Sequence, residues 1–421
     1  MPPSSPTPPG TDKYFQRGFG LKSAISGTLH KDYHSALVDS VRDGGNSIRR
    51  GDLTIRLAQE FGFCYGVDRA VEYAYETVEK FPDRRVFLTG EIIHNPHVNE
   101  RLQQMGIAFL SSDGSISALP ADLGPSDVVI LPAFGVPEPT FVALRERGCI
   151  LVDTTCGSVL NVWKNVDRYA REGFTSIIHG KYSHEETRAT ASRALIHPGG
   201  MYLVVRDMEQ AEIVCDYILA SGAPTASRKE AFLATFAKAV PEGFDPDRHL
   251  EHIGVANQTT MLSSESLQIA RRLRDTMAQR FGEEEIPRRF RSFDTICSAT
   301  QDRQDAVLKL VEEGVDVLII IGGYNSSNTN HLASMGSLSV PTYHIDAAGC
   351  ILGPDTIRHK PAGAADLVVA RGWLPEGKIV VGVTAGASTP NVMIGEVIES
   401  ILRCREPAGR EDAAEPVLNS G

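Results

Sequence analysis

Three cysteines set the frame of this chain. Residues 53–63 lead into Cys64 and the segment GVDRAVEYAYETVEKF, residues 150–155 into Cys156 and SVLNVWKNVDRYAREG, and residues 291–296 into Cys297 and SATQDRQDAVLKLVEEG. The second and third copies even share their wording, VDTTC against FDTIC. Each trailing segment carries apolar residues at helical spacing, with Val67, Ala70, Val71 and Ala74 as one case. A second apolar run then follows in each copy: RVFLTG, TSIIHG and DVLIIIGG. Their closing glycines, Gly90, Gly180 and Gly322, stand 26, 24 and 25 residues beyond the respective cysteines. A third run per copy (VVILPAFG, HIGVANQTT, IVVGVTAGAST) also ends in a polar or glycine-rich loop.

β-Branched runs alternating with amphipathic helices predict parallel α/β layers. The expected fold class is therefore α/β, with three pseudo-repeated α/β units in a trefoil arrangement. The expected partition is a partly disordered N-terminal extension over residues 1–52, with one helix near 34–41. Units follow over 53–149, 150–290 (with a helical insertion at about 207–247) and 291–403, and a disordered tail over 404–421. Ligands bind at the C-terminal edge of open parallel sheets. Three such edges facing one another would bring Cys64, Cys156 and Cys297 to one point.

Bulk properties narrow the function. A length of 421 residues exceeds one ordinary core. The net charge of −11 argues against an extended nucleic-acid surface. The longest apolar run, over residues 315–323, is too short to span a bilayer, so no membrane partner is expected. The opening MPPSSPTPPG has neither the charged nor the apolar region of a signal peptide. A cytoplasmic location is the expectation, with the plastid stroma less favoured. Seven scattered cysteines fit a reducing compartment. Cys149, Cys215, Cys350 and Cys404 fall outside the repeat and read as core filler.

A cysteine at a helix start gains thiolate character from the unpaired amides and the helix dipole. Three thiolates without a CxxC pair disfavour a structural zinc site. A four-iron cluster on three cysteines, one iron left open, suits the set. A catalytic zinc on three cysteines is the alternative that spacing leaves open. The loops at the same edges offer His94, His184, Thr259, Ser326, Ser327, Asn328 and Ser388 as donors. Gly322, Gly323 and residues 382–387 let backbone amides approach an anion. Imidazole and hydroxyl donors without a lysine fork or a GxxxxGK[ST] loop suit a phosphate or diphosphate on a small molecule, not a nucleotide. Glu186, two residues after His184, would serve as a proton donor if burial raised its pKa, and Glu185 competes for that role.

Eight ordered segments, GFCYGVDRAV, EIIHNPHV, VDTTCGSV, HGKYSHEET, NQTTM, DTICSATQDRQDAV, NSSNTN and GVTAGASTP, resemble the 4-hydroxy-3-methylbut-2-enyl diphosphate reductase family. They run from about residue 62 to residue 391, and the PAFG form and long N-terminal extension resemble its plant and cyanobacterial branch. The resemblance implies a 4Fe–4S cluster on Cys64, Cys156 and Cys297 whose open iron binds an allylic hydroxyl. Two electrons and protons, drawn from a reduced donor such as ferredoxin or flavodoxin, then remove that hydroxyl as water. The products would be isopentenyl and dimethylallyl diphosphates, in the last step of the non-mevalonate isoprenoid route. His94, His184, Ser326, Ser327, Asn328 and Ser388 would hold substrate, Thr259 would sit near the reacting end, and Glu186 would deliver the proton. Two positions depart from the family pattern. Phe134 stands where many members carry a histidine, so that either one diphosphate contact is missing or another donor such as His97 replaces it, and Gly157 stands where proline is common. A cluster-dependent hydro-lyase and a non-enzymatic iron–sulfur redox sensor are the competing readings.

Overall fold

The computed structural model describes residues 13–110, 116, 119–220, 226–293 and 295–405. The expected disordered stretches at 1–10 and in most of the tail, and Asp294 of the DTIC copy, lie outside the described residues.

Three parallel-stranded sheets carry the fold. The first orders its strands as Tyr14–Phe15, Ile150–Asp153, Val128–Leu131, Val86–Thr89 and Ile107–Leu110. The second runs Phe290–Ser292, Ile253–Asn257, Thr175–His179, Tyr202–Val205. The third runs Thr342–Ile345, Val317–Ile321, Ile379–Ala385, Leu53–Leu57, Ser47–Arg50, the last pair antiparallel. Strands such as Val317–Ile321 and Thr175–His179 are buried along their whole length. Helices cover both faces of such strands, which explains their continuous apolar runs.

The sheets divide the chain one strand later than the repeat suggested. The strand ahead of Cys156 completes the first sheet, the one ahead of Cys297 the second, and the one ahead of Cys64 the third. Boundaries at 53, 150 and 291 therefore cut across hydrogen-bonded ladders. A repeat read from sequence has an arbitrary phase, and only strand pairing fixes it. Each cysteine thus sits on the crossover from one sheet to the next unit's helix.

In each sheet the strands of the second and third runs are neighbours, while the intervening strand packs on the outside. Val86–Thr89 lies beside Val128–Leu131, for example, with Ile107–Leu110 beyond it. Chain direction across the sheet reverses there, opening a crevice between the two loops that follow.

The segment expected as an extension is built into the body. Two helices form, Lys22–Tyr33 and Ala36–Asp43, where one was expected near 34–41. Ile25 and Tyr33 join the core beneath the first sheet, whereas Val38 and Val41 join that of the third. The insertion at about 207–247 is helical, as expected, with Met208–Leu219 and Ala226–Thr235 packed into the second unit's core.

Candidate active site

Each cysteine of the repeat is the N-cap of a helix: Cys64 for Tyr65–Lys80, Cys156 for Gly157–Arg171 and Cys297 for Ser298–Glu312. All three have extended backbone there, and none spends its side chain on a cap bond to its own helix. The thiols are left to face a shared cavity. That cavity is lined by Cys64, Cys156 and Cys297 together with His94, His184, Glu186, Thr259, Ser326, Ser327, Asn328 and Ser388. Every residue of the leading site reading is on its wall, whereas its named alternatives Glu185 and His97 are not.

Gly66 shows how closely the sulfurs converge. A Cβ added there would lie 2.5 Å from the Cys156 Sγ and 4.0 Å from that of Cys64. The position is helical with ordinary φ, so glycine is required for room and not for conformation. The thiolate expectation is corrected in one respect. Burial outweighs the helix amides and pushes the Cys64 thiol up, and it carries Cys297 to about 11. Such sulfurs ionise readily only against a cation.

The carboxylates next to His184 have separate fates. Glu186 is fully buried, and burial raises its pKa to about 7 against two opposing bonds from Thr259. Its Oε1 accepts the Thr259 N–H at 2.6 Å, and its Oε2 lies 3.0 Å from the Thr259 hydroxyl. Glu185 instead faces His94, its Oε2 3.4 Å from Nε2, and although burial opposes it His94 holds this carboxyl low. His94 is buried, which resists charging, but Glu185 and Glu91 lift its pKa to about 9. Its Nδ1 lies 2.9 Å from Glu91 and its Nε2 3.2 Å from the His184 Nε2. His184 is held neutral by burial and by the charge on His94. The site thus contains one cationic imidazole, one neutral imidazole and one protonatable carboxyl.

The third unit contributes two unspent donors, on Asn328 and Ser327, and a third hydroxyl, on Ser388, that is engaged. Asn328 Oδ1 accepts the Ala387 N–H at 3.0 Å, while its Nδ2 is buried with no partner among the described residues. Ser327 Oγ accepts from Gln258 Nε2 at 3.1 Å, leaving its own proton free. Ser388 Oγ donates to the His94 carbonyl at 3.1 Å. A Cβ on Gly323 would come within 2.6 Å of that same carbonyl, so the loops meet backbone to backbone.

Phe134 lines the cavity and stacks on His94, ring centroids 4.3 Å apart, with its edge toward His184 at 5.5 Å. His97, the suggested substitute, is exposed on the helix Pro96–Gln104 and does not line the cavity. Sequence reasoning missed Glu91 as a partner of His94. It also missed Thr300, whose Oγ1 lies 3.0 Å from the Cys297 Sγ, and Gln258, which joins Lys181, Thr187, Thr260 and Ser327. A hydroxyl three residues after a helix-capping cysteine was the available signal for Thr300.

A sequence model of the family described as LytB protein matches residues 55–402. The chain belongs to the LytB protein family. Among relatives of this LytB-family chain, a protein of Gloeobacter violaceus is 48% identical over 414 residues, covering 97% of each chain. One of Synechococcus is 47% identical over 397 residues, covering 94% of this chain and 97% of its own. Both are named 4-hydroxy-3-methylbut-2-enyl diphosphate reductase. A solved reductase of that name, described as the terminal enzyme of the non-mevalonate pathway, is similar at TM-score 0.51 and 29% identity. It covers 83% of this chain and 99% of its own. The corresponding reductase from Plasmodium falciparum shares the fold at TM-score 0.58 and 19% identity, covering 83% of this chain and 88% of its own. Among the described residues no helix is long and apolar enough to cross a membrane.

Proposed function

We infer that this chain reduces (E)-4-hydroxy-3-methylbut-2-enyl diphosphate to isopentenyl and dimethylallyl diphosphates, releasing the hydroxyl as water with two electrons and two protons. The observation that carries the reading is the single cavity in which three cysteines, a protonatable Glu186 and the donors of three units face one another.

Cys64, Cys156 and Cys297 would hold a 4Fe–4S cluster, which when bound supplies electrons and one iron with an open position. The residues fit such a group: three half-buried cysteines at cap positions without cap bonds, of which Cys64 and Cys297 resist ionising unless a cation is near, and a glycine where a methyl group would collide with sulfur. A reduced donor of the ferredoxin or flavodoxin type is the source of electrons in this reading.

The chain's own groups then have distinct tasks. Protonated His94, the Asn328 Nδ2 and the hydroxyls of Ser326, Ser327 and Ser388 take the diphosphate, with His184 as a neutral donor or acceptor beside them. Each buried donor is worth more here than in water, because no solvent competes for it. Thr259 stands at the reacting end, and through its amide and hydroxyl it fixes both oxygens of Glu186. With a pKa of about 7, Glu186 keeps its proton in about half of the molecules at neutral pH and yields it to the departing hydroxyl. Phe134 keeps the His94 ring in its plane and excludes water from that wall.

The test is anaerobic reconstitution with iron and sulfide, then turnover with a reduced donor and the hydroxylated diphosphate. Two electrons consumed per product formed is the expected result. A fully loaded cluster that yields no dehydroxylated product, or loss of water without electron uptake, rejects the reading.

A further inference from the structure

The three cysteine loops are tied to their own sheets in one repeated way. Each cysteine N–H donates to the loop that closes the third run of its sheet: Cys64 to the Ala387 carbonyl at 3.2 Å, Cys156 to Ala133 at 3.0 Å and Cys297 to Thr259 at 3.5 Å. Those bonds fix each cysteine within one unit. They do not set the spacing of sulfurs that belong to different units.

Arginines on the cysteine helices supply that second tie. Arg69, five residues after Cys64, donates through Nη2 to the Thr155 carbonyl at 2.5 Å, immediately ahead of Cys156. The Thr155 N–H and hydroxyl are already taken by Asp153 Oδ1, at 2.9 and 2.5 Å, so Arg69 holds the remaining polar group of that residue. Arg303, six residues after Cys297, reaches the approach to Cys64. Its Nη2 donates to the Gly62 carbonyl at 2.6 Å and the Phe63 carbonyl at 3.3 Å, its Nε to Gly62 at 3.2 Å, and its Nη1 to Ala299 at 2.8 Å. At the third seam the contact is a stack. Arg168, on the helix after Cys156, lies 4.3 Å from the ring centroid of Phe293, four residues ahead of Cys297. The ties run one way around the site: from Cys64 to Cys156, from Cys156 to Cys297, and from Cys297 back to Cys64.

We propose that Arg69 and Arg303 are positioning residues for the cluster, each reaching from one cysteine's helix to the backbone just ahead of the next cysteine and so fixing the sulfurs across unit boundaries. This rests on the cluster reading above. Arg303 is 4% exposed and bonds to carbonyls alone, while Asp302 and Asp305 on the same helix are exposed. A guanidinium buried among neutral acceptors favours negative charge nearby, and thiolates bound to iron carry it. The two arginines hold differently. Arg69 makes one bond to its loop, which a lysine ammonium can reproduce. Arg303 forks over the Gly62 and Phe63 carbonyls, and a point donor cannot replace a fork.

The experiment reconstitutes wild type, Arg69→Gln, Arg69→Lys and Arg303→Lys anaerobically and follows iron release to an excess of ferrous chelator. Release is read where circular dichroism shows each variant folded, and the reduction midpoint of each cluster is measured alongside. Arg69→Gln and Arg303→Lys should release iron about tenfold faster than wild type, and Arg69→Lys at the wild-type rate. The midpoint should shift downward in Arg69→Gln, which loses a cation beside the ligand loop, and hold in Arg69→Lys. Wild-type release from Arg69→Gln, or an unmoved midpoint in that variant, overturns the proposal. Wild-type release from Arg303→Lys shows that charge suffices there and overturns the positioning role of the fork. Arg69 is half-buried, so its two variants decide the matter even if Arg303→Lys does not fold. A wild type that takes up no iron rejects the cluster reading itself, whereas variants indistinguishable from a loaded wild type reject only the arginine ties.

Discussion

Glu186→Gln isolates the most consequential charge in the cavity. The substitution keeps shape and bonding: the new amide oxygen accepts the Thr259 N–H, and its nitrogen donates to the Thr259 hydroxyl, in place of the two bonds at 2.6 and 3.0 Å. What it removes is the titration. Burial moves the carboxyl from an ordinary 4.5 to about 7. The folded chain therefore holds a proton that the unfolded chain has released. This stabilisation is complete below pH 4.5 and is lost as pH rises through 7. At about 1.4 kcal/mol for each tenfold change in acidity, ionised Glu186 costs the fold about 3 kcal/mol. Urea unfolding of wild type and variant, followed anaerobically by circular dichroism between about pH 4.5 and about pH 8.5, should therefore diverge. The variant should match wild type at the acid end and exceed it by about 3 kcal/mol at the alkaline end, since groups titrating in both proteins cancel. Turnover should behave in the opposite sense. The variant should lose roughly 100-fold or more in kcat with its cluster intact, and wild-type kcat should decline as pH rises through about 7. A stability difference that does not change with pH refutes the burial argument. Near-normal turnover in the variant refutes the proton-donor role.

The remaining predictions concern the ligands and the donors. Cys156→Ser should abolish most cluster absorbance, whereas Cys215→Ser, buried within the second unit's core, should leave it intact; visible spectra after reconstitution decide this. Gly66→Ala should leave helical circular dichroism unchanged yet impair cluster loading, because the new methyl group meets the Cys156 sulfur. Asn328→Ala, which removes the one unpartnered amide nitrogen of the cavity wall, should raise KM about tenfold and weaken inorganic diphosphate binding equally. Deleting residues 1–46 should destabilise the fold by several kcal/mol, since Ile25, Tyr33, Val38 and Val41 would leave two separate cores; thermal unfolding measures it.

The cysteine repeat determined a great deal without coordinates. Continuous apolar runs read as strands of covered parallel sheets, whose C-terminal ends are where ligands bind in such folds. The polar residues after Gly90, Gly180 and Gly322 could thus be assigned to one site from spacing. Two matters lay beyond the sequence. Strand pairing is a long-range choice, so the phase of the repeat and the membership of Leu53–Leu57 in the third sheet appeared only in the fold. The resemblance picked Glu186 over its chemically identical neighbour Glu185, but only the fold shows one turned toward His94 and the other buried against Thr259. Local pattern dictates which elements form. Burial and the meeting of remote loops decide what charge each group carries.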